Sequence, residues 1–221
     1  MIDLHTHTLA SDGDLCPAEL VRRAEAAGIA AIGITDHADA SNLERLVGET
    51  AAFVRETQPH VRIRLLAGIE LTHVPPGQIP ELVRRARRLG AALVVVHGET
   101  ISEPVAPGTN RAAIEAGVDI LAHPGLITAE EARLAAAKGV LLEVSTRPSH
   151  GMANGHVAAA AREAGAALVI DSDTHAPSDI LEAGWRRRVA LGAGLADADL
   201  DRIDGAMAAL VERLAPTLRV V

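Results

Sequence analysis

The sequence predicts an α/β barrel in which parallel strands alternate with outer helices. Short β-branched runs alternate with segments of helical spacing along the whole chain, the pattern of βα units around a parallel sheet. The helical stretches commonly stop at glycine, at Gly28, Gly90, Gly117, Gly139 and Gly165, where a left-handed C-cap favours a residue with no side chain. Aromatic residues make up only 1% of the 221 residues, so packing rests on Ala, Val, Leu and Ile, which suits helices set closely against a branched-aliphatic parallel sheet.

Seven strands are expected, at Ile2 to Leu4, Ala31 to Thr35, Ile63 to Ile69, Ala92 to Val96, Ile120 to Ala122, Val140 to Val144 and Leu168 to Ile170. Between the first two, Pro17 to Ala27 has a polar face of Glu19, Arg22, Arg23 and Glu25 and reads as a helix. After the last strand, two further helices are expected over about 178–191 and 198–214, the second opened by acidic residues that suit a helix N-terminus. Both should pack outside the barrel. The Pro75-Pro76-Gly77 and Pro104 to Gly108 segments mark longer loops. With 48% hydrophobic and 23% charged residues and no low-complexity linker, residues 1–221 read as one folded domain.

The formal charge of -8 provides no basic field for a phosphate backbone, and the scarcity of aromatics removes stacking platforms. Nucleic acid beyond a short nucleotide is disfavoured as a partner. The start Met1-Ile2-Asp3-Leu4-His5 has no basic-then-apolar leader, and no run spans a membrane, so the expected location is cytoplasmic. The lone Cys16, just before Pro17, reads as a structural helix-entry residue rather than a redox thiol.

The histidines fall at strand ends. His5, His37, His97 and His123 each lie at, or within two residues of, the C-terminal end of an expected strand, and in a parallel barrel those ends share the face where binding groups gather. If the first strand extends through His5 and His7, their i, i+2 spacing points both imidazoles to one side. Asp173 and His175 repeat that spacing after the last strand, which barrel closure sets beside the first. Glu70 ends the third strand with two oxygens that can bridge two cations. Any one of these could be an ordinary hydrogen-bonded residue, but burying so many together without a metal would strand polar groups at several kcal/mol. His60 and His156 are expected to face solvent, and His73 is open to either reading.

His5-Thr6-His7, Ser11-Asp12-Gly13, Thr35-Asp36-His37, Gly68-Ile69-Glu70, Val96-His97, Ala122-His123-Pro124-Gly125 and Asp173-Thr174-His175 occur in order. Through this ordered set the chain resembles the PHP family, named for polymerase and histidinol phosphatase domains. The resemblance implies a distorted (βα)7 barrel holding three divalent ions. It implies His5, His7, Glu70 and Asp173 as ligands of the first ion, Glu70, His97 and His123 of the second, and Asp12, His37 and His175 of the third. Histidinol phosphatases of the family can carry histidine where this chain has Asp12. Mixed nitrogen and oxygen donors without thiolate suit zinc, manganese or iron.

The implied activity is hydrolysis of a small phosphomonoester, histidinol-phosphate-like or a nucleotide, by a metal-activated hydroxide. Arg147 is the expected phosphate clamp, with a salt bridge to Glu143 or Glu99 as its alternative. His150 is the expected general acid for the leaving alkoxide. The rival readings are an amidohydrolase, in which a modified lysine often bridges the metals whereas the only lysine here, Lys138, lies in a helical stretch; a short-nucleotide phosphodiesterase or exonuclease; and a non-catalytic metal-binding module.

Overall fold

The longer strands form where runs of apolar residues can be buried on both faces, the requirement of a parallel sheet covered by helices. The computed structural model describes residues 1–214. Its strands are β1 (Ile2–Asp3), β2 (Ala31–Ile34), β3 (His37–Ala38), β4 (Arg64–Leu71), β5 (Leu93–His97), β6 (Ile120–Ala122), β7 (Leu141–Ser145) and β8 (Leu168–Asp171). Seven of them run parallel in the order β1-β2-β4-β5-β6-β7-β8, which confirms the expected distorted seven-stranded barrel. The additional strand β3 pairs with the end of β4, with His37 opposite Glu70.

The helices are α1 (Pro17–Ala26), α2 (Leu43–Thr57), α3 (Ile79–Leu89), α4 (Thr109–Ala116), α5 (Ala129–Lys138), α6 (Asn154–Ala164), α7 (Ala183–Gly192) and α8 (Asp197–Leu214). Cys16 is the N-cap of α1 and Pro17 its first residue. Thr128 and Glu131 form a reciprocal capping box at α5, a device whose cap residue stabilises a helix by ~0.5–2 kcal/mol. The segment expected to be helical from 178 instead makes a short 3-10 turn at Pro177–Asp179 and buries Leu181 before α7 begins. Ile203, Met207 and Leu210 of α8 bury against Leu4, Val169 and Ile170, so α8 covers β8 and β1 from outside.

Several boundaries shift by a residue or two, with consequences for the site. β4 runs through Glu70 to Leu71, so Glu70 lies within the strand and not at its end. β5 ends on His97 itself. β1 stops at Asp3, one residue short of Leu4, because the Leu4 backbone N–H donates to Asp171 Oδ1 at 2.7 Å instead of to a neighbouring strand.

The seam between β8 and β1 is closed mainly by side chains. A single parallel bridge joins Thr6 and Thr174, and the His7 N–H donates to the Thr174 carbonyl at 2.8 Å. Below it, Asp3 accepts from the Ser172 hydroxyl at 2.6 Å and the Ser172 N–H at 3.1 Å.

At the β5 exit, a Cβ on Gly98 would lie 2.3 Å from the Ala122 carbonyl oxygen and 2.7 Å from Pro124 Cα. Both are backbone atoms and cannot swing away. Gly98→Ala should lower unfolding stability by ~1–3 kcal/mol through overpacking, read from the denaturant midpoint; an unchanged midpoint would mean these two strand exits are not so closely apposed.

Candidate metal centre

Glu70 lies at the middle of the barrel mouth, fully buried. Its Oε1 is 3.3 Å from His5 Nε2 and 3.9 Å from His123 Nε2, and its Oε2 is 2.6 Å from His37 Nδ1 and 3.9 Å from His7 Nε2. The Thr72 hydroxyl donates to Oε2 at 2.8 Å and fixes the carboxylate plane. This placement follows from β4 running on to Leu71 and from β3 pairing beside it.

Asp173 and His175 reach the same centre because the seam sets them beside β1. Asp173 Oδ1 is 3.2 Å from His7 Nε2 and 3.8 Å from His5 Nε2. Asp12, on the loop after β1, has Oδ1 at 3.2 Å from His175 Nε2 and 3.3 Å from His37 Nε2. One donor atom from each of His7, Asp12, His37 and His175 falls within 4.8 Å of the others, as do donors from His5, His7 and Asp173, and from His97, His123 and His150. All nine residues expected from the sequence therefore meet at one mouth. His97 turns its Nε2 to Glu103 Oε2, at 3.1 Å.

Two of these residues sit in left-handed backbone, His123 at φ 27 and Asp173 at φ 52. Such conformations in non-glycine residues cost on the order of 1–3 kcal/mol and concentrate at functional sites.

Reasoning from sequence missed four carboxylates that support the centre. Glu143 Oε2 accepts from His5 Nδ1 at 2.7 Å, which fixes the ring and leaves Nε2 inward. Asp36 accepts from Thr8 N, Thr8 Oγ1 and Ser11 Oγ at 2.7–2.8 Å and anchors the loop that carries Asp12. Asp171 holds Leu4, one residue from His5. Glu103 approaches from the loop between β5 and α4, with Oε2 3.1 Å from His73 Nε2 as well as from His97. A charged residue inside the apolar run Leu141–Ser145 was a legible signal for Glu143; Glu103, on an irregular loop, offered none.

Arg147 leaves the end of β7 and pairs with neither Glu143 nor Glu99. Its Nη1 donates to the Asp173 carbonyl at 3.1 Å, lies 3.6 Å from Asp173 Oδ1 and contacts His175 Nδ1. His150 is buried beside His123, with ring centroids 4.1 Å apart. His60 and His156 face solvent as expected, although His156 Nε2 also donates to the Ile127 carbonyl at 2.7 Å. His73 is exposed and pairs with Glu103. The site opens through a cavity of about 200 Å³ lined by Asp12, His37, His97, Arg147, His150 and His175 among others. A larger cleft of about 380 Å³ between α6 and α8 is bordered by residues 165–168, at the opposite end of β8, and holds none of these groups.

The electrostatics are those of cations packed against carboxylates. Burial works against a charged His37, but Glu70 and Asp12 outweigh it and push its pKa up to about 10. Burial likewise opposes charge on His5, yet Glu143, Glu70 and Asp173 raise it well above the ordinary range. His7 is driven down to about 4, chiefly by burial and by cationic His37 nearby. Burial also dominates at His123, which falls well below the usual value, with His97 adding to the effect. For Glu70 burial pushes upward, but His5 and His37 prevail and hold it well below the usual carboxylate value.

Protein groups alone do not satisfy this cluster. His5 Nε2, both ring nitrogens of His7, Glu70 Oε1 and His123 Nδ1 are buried without a hydrogen-bond partner. Each such orphan costs ~1–3 kcal/mol, and the inward-facing ones are lone pairs of the kind a divalent cation takes up. The donor set, imidazole and carboxylate without thiolate, therefore fits borderline divalent ions.

A parallel barrel with a histidine–carboxylate metal centre at its C-terminal mouth is the class that fold and site define. The chain belongs to the PHP domain family, which matches residues 3–172; Asp173 and His175 fall just past that span and are placed by the seam. It is 47% identical over 201 residues to an uncharacterized protein of Methanocaldococcus jannaschii, covering 90% of this chain and 92% of that protein. It shares 39% identity over 70 residues with a 5'-3' exoribonuclease of Haemophilus influenzae, a match covering 32% of this chain and 23% of that one. The barrel also superposes, at TM-score 0.60 and 18% identity, on a histidinol phosphate phosphatase from Lactococcus lactis solved with zinc, L-histidinol and phosphate, covering 88% and 94% of the two chains.

Metal uptake must displace protons, because only neutral imidazole ligates. With His37 pushed up to about 10, that ring carries a proton at pH 7 in the metal-free protein, and the carboxylates around His5 favour its charged form as well. Adding zinc or manganese to chelator-treated protein should therefore release protons to a weak buffer, and affinity should rise as pH increases towards 10. Uptake with no proton release, measured by calorimetry in buffers of different ionisation enthalpy, would contradict these assignments.

Proposed function

We propose that this chain is a metal-dependent phosphoesterase acting on a small phosphomonoester, histidinol-phosphate-like or a nucleotide. The observation that carries the reading is the junction of two chemistries at one mouth: an orphaned histidine–carboxylate cluster around Glu70, and an arginine held at its edge with donors to spare. All the side-chain bonds of Arg147 to described residues leave from Nη1, so Nε and Nη2 remain to grip phosphate oxygens in the planar, forked manner that favours arginine.

His5, His7, Glu70 and Asp173 would hold one ion, Glu70, His97 and His123 a second, and Asp12, His37 and His175 a third; zinc, manganese and iron all suit the donors. When bound, divalent ions supply Lewis-acid stabilisation of phosphoryl oxygens and a nucleophile at neutral pH. The remaining work falls to the protein. Glu143 and Thr72 fix the rotamers of His5 and Glu70, so the donors are arranged before substrate arrives. Arg147, tethered to the Asp173 backbone, offsets phosphate charge at a set position. The cavity of about 200 Å³ admits a phosphate and its immediate neighbourhood while leaving the bulk of a larger ester outside.

The stretch shared with the exoribonuclease favours a second reading, cleavage of the phosphodiester in a short nucleotide. A panel of phosphomonoesters and dinucleotides, assayed with manganese, zinc and iron in turn, separates the two; no turnover with any combination would leave a non-catalytic metal-binding module.

Two substitutions divide the roles. Glu70→Ala should reduce metal occupancy and turnover together, whatever the substrate. Arg147→Ala should keep its metals and raise KM for phosphomonoesters roughly tenfold or more, in line with the ~1.5–3 kcal/mol of a hydrogen bond to a charged group. Full metal content and activity in Glu70→Ala, or unchanged kinetics in Arg147→Ala, would remove the corresponding assignment.

A further inference from the structure

We infer that His150 is a ligand of the ion shared by His97 and His123, making that position a three-imidazole site with the loop carboxylate Glu103 at its open side. The inference deepens the function proposed above and rests on its metal centre. It replaces the proton-donor role expected of His150 from sequence and adds a donor that the family resemblance does not supply.

The three imidazoles come from three neighbouring strand exits. His97 ends β5, His123 follows β6 and His150 follows β7, and one nitrogen from each lies within 4.8 Å of the other two. All three are buried. The outer nitrogens of two of them are already engaged: His97 Nδ1 donates to the Gly98 carbonyl at 3.1 Å, and His150 Nδ1 meets the Thr100 hydroxyl at 3.0 Å and the Ser102 hydroxyl at 3.2 Å. A ring whose outer nitrogen is held in this way presents the lone pair of the other, which is how ligating histidines are oriented.

The inner distances support the same conclusion. His150 Nε2 lies 3.5 Å from Glu103 Oε1 and 3.7 Å from Asp173 Oδ2. Both exceed good hydrogen-bond lengths of ~2.7–3.2 Å. They match the spacing of donors around a common cation, since ligands each ~2.0–2.2 Å from zinc lie some 3–4 Å from one another. Glu103 is the one carboxylate at this cluster carried by an irregular loop rather than by a strand or its exit, and its side chain is 36% exposed. It can therefore cover the ion or swing aside for substrate. A site with three imidazoles prefers zinc, iron(II) or cobalt(II) to manganese, because nitrogen donors suit those ions better.

The test uses cobalt(II) added to chelator-treated full-length protein, followed by bound metal per chain and by the visible absorption band. His150→Gln should weaken one cobalt at least tenfold, on the scale seen when a ligand's support is lost, and change the band, while the remaining cobalt stays bound. The double variant Thr100→Val with Ser102→Ala leaves the ring in place but removes its two anchors, and should weaken the same cobalt to a lesser degree. Wild-type stoichiometry, affinity and spectrum in both variants would overturn the inference. If circular dichroism shows that His150→Gln does not fold, the double variant decides alone: an unaltered cobalt site overturns the inference and a weakened one sustains it. A wild-type chain that takes up no cobalt, zinc or manganese would bring down the metal reading itself, an outcome distinct from the first.

Discussion

The structure depends on closing the barrel between its first strand and its last. The candidate centre draws His5 and His7 from one end of the sequence and Asp173 and His175 from the other, and only the β8–β1 seam brings them together. Backbone pairing there amounts to the Thr6–Thr174 bridge, the His7 N–H bond to Thr174 and the Asp14 N–H bond to the His175 carbonyl. The rest is done by buried carboxyl groups: Asp171 takes the Leu4 N–H and Asp3 takes both polar hydrogens of Ser172. Burial pushes Asp3 up to about 6 despite its bonds to Ser172. Asp171 is raised well above its usual value by burial and then by Asp3 and Glu143 nearby. An interior that concentrates carboxyl groups in this way tolerates them because each is tied to a backbone or side-chain donor and because histidines stand directly above.

That arrangement governs the chemistry. Positive charge is favoured on His5 and His37, which face carboxylates, and disfavoured on His7 and His123, which are buried next to other imidazoles. The cluster therefore cannot be neutralised by protons alone, and orphaned donor atoms remain. Divalent cations would satisfy those atoms while replacing the protons, so that folding energy and metal binding would meet in the same side chains. The left-handed backbone at His123 and Asp173 is a cost of holding those donors in place.

The rival enzyme classes differ at identifiable residues. An amidohydrolase-type lysine bridge has no candidate among the described residues, since Lys138 lies in α5 and donates to the Glu115 carbonyl at 3.3 Å. No helix among the described residues is long and apolar enough to cross a membrane. Arg147 stands at the edge of the centre, paired with Asp173 and not with the two glutamates nearer to hand in the sequence argument.

Much of this was legible in the chain. Alternating apolar runs and glycine stops determine the βα order, and His5, His37, His97 and His123 declare themselves by falling at or near strand ends, because the periodicity of a strand and the shared mouth of a parallel barrel are properties of local sequence. Of the supporting carboxylates only Glu143 carried a local signal, as a charge inside an apolar strand. Asp3, Asp36, Glu103 and Asp171 acquire their roles from partners as many as 169 residues away in sequence, and nothing local distinguishes such a carboxylate from one that faces water. The strand β3 and the extension of β4 through Glu70 likewise arise from pairing, not propensity. Which nitrogen of His150 turns inward was decided by two hydroxyl groups on the loop after β5. Sequence by itself determined which residues are present at the mouth; tertiary structure alone decided which atoms face one another, because that depends on where the ring closes and which loops it brings into contact.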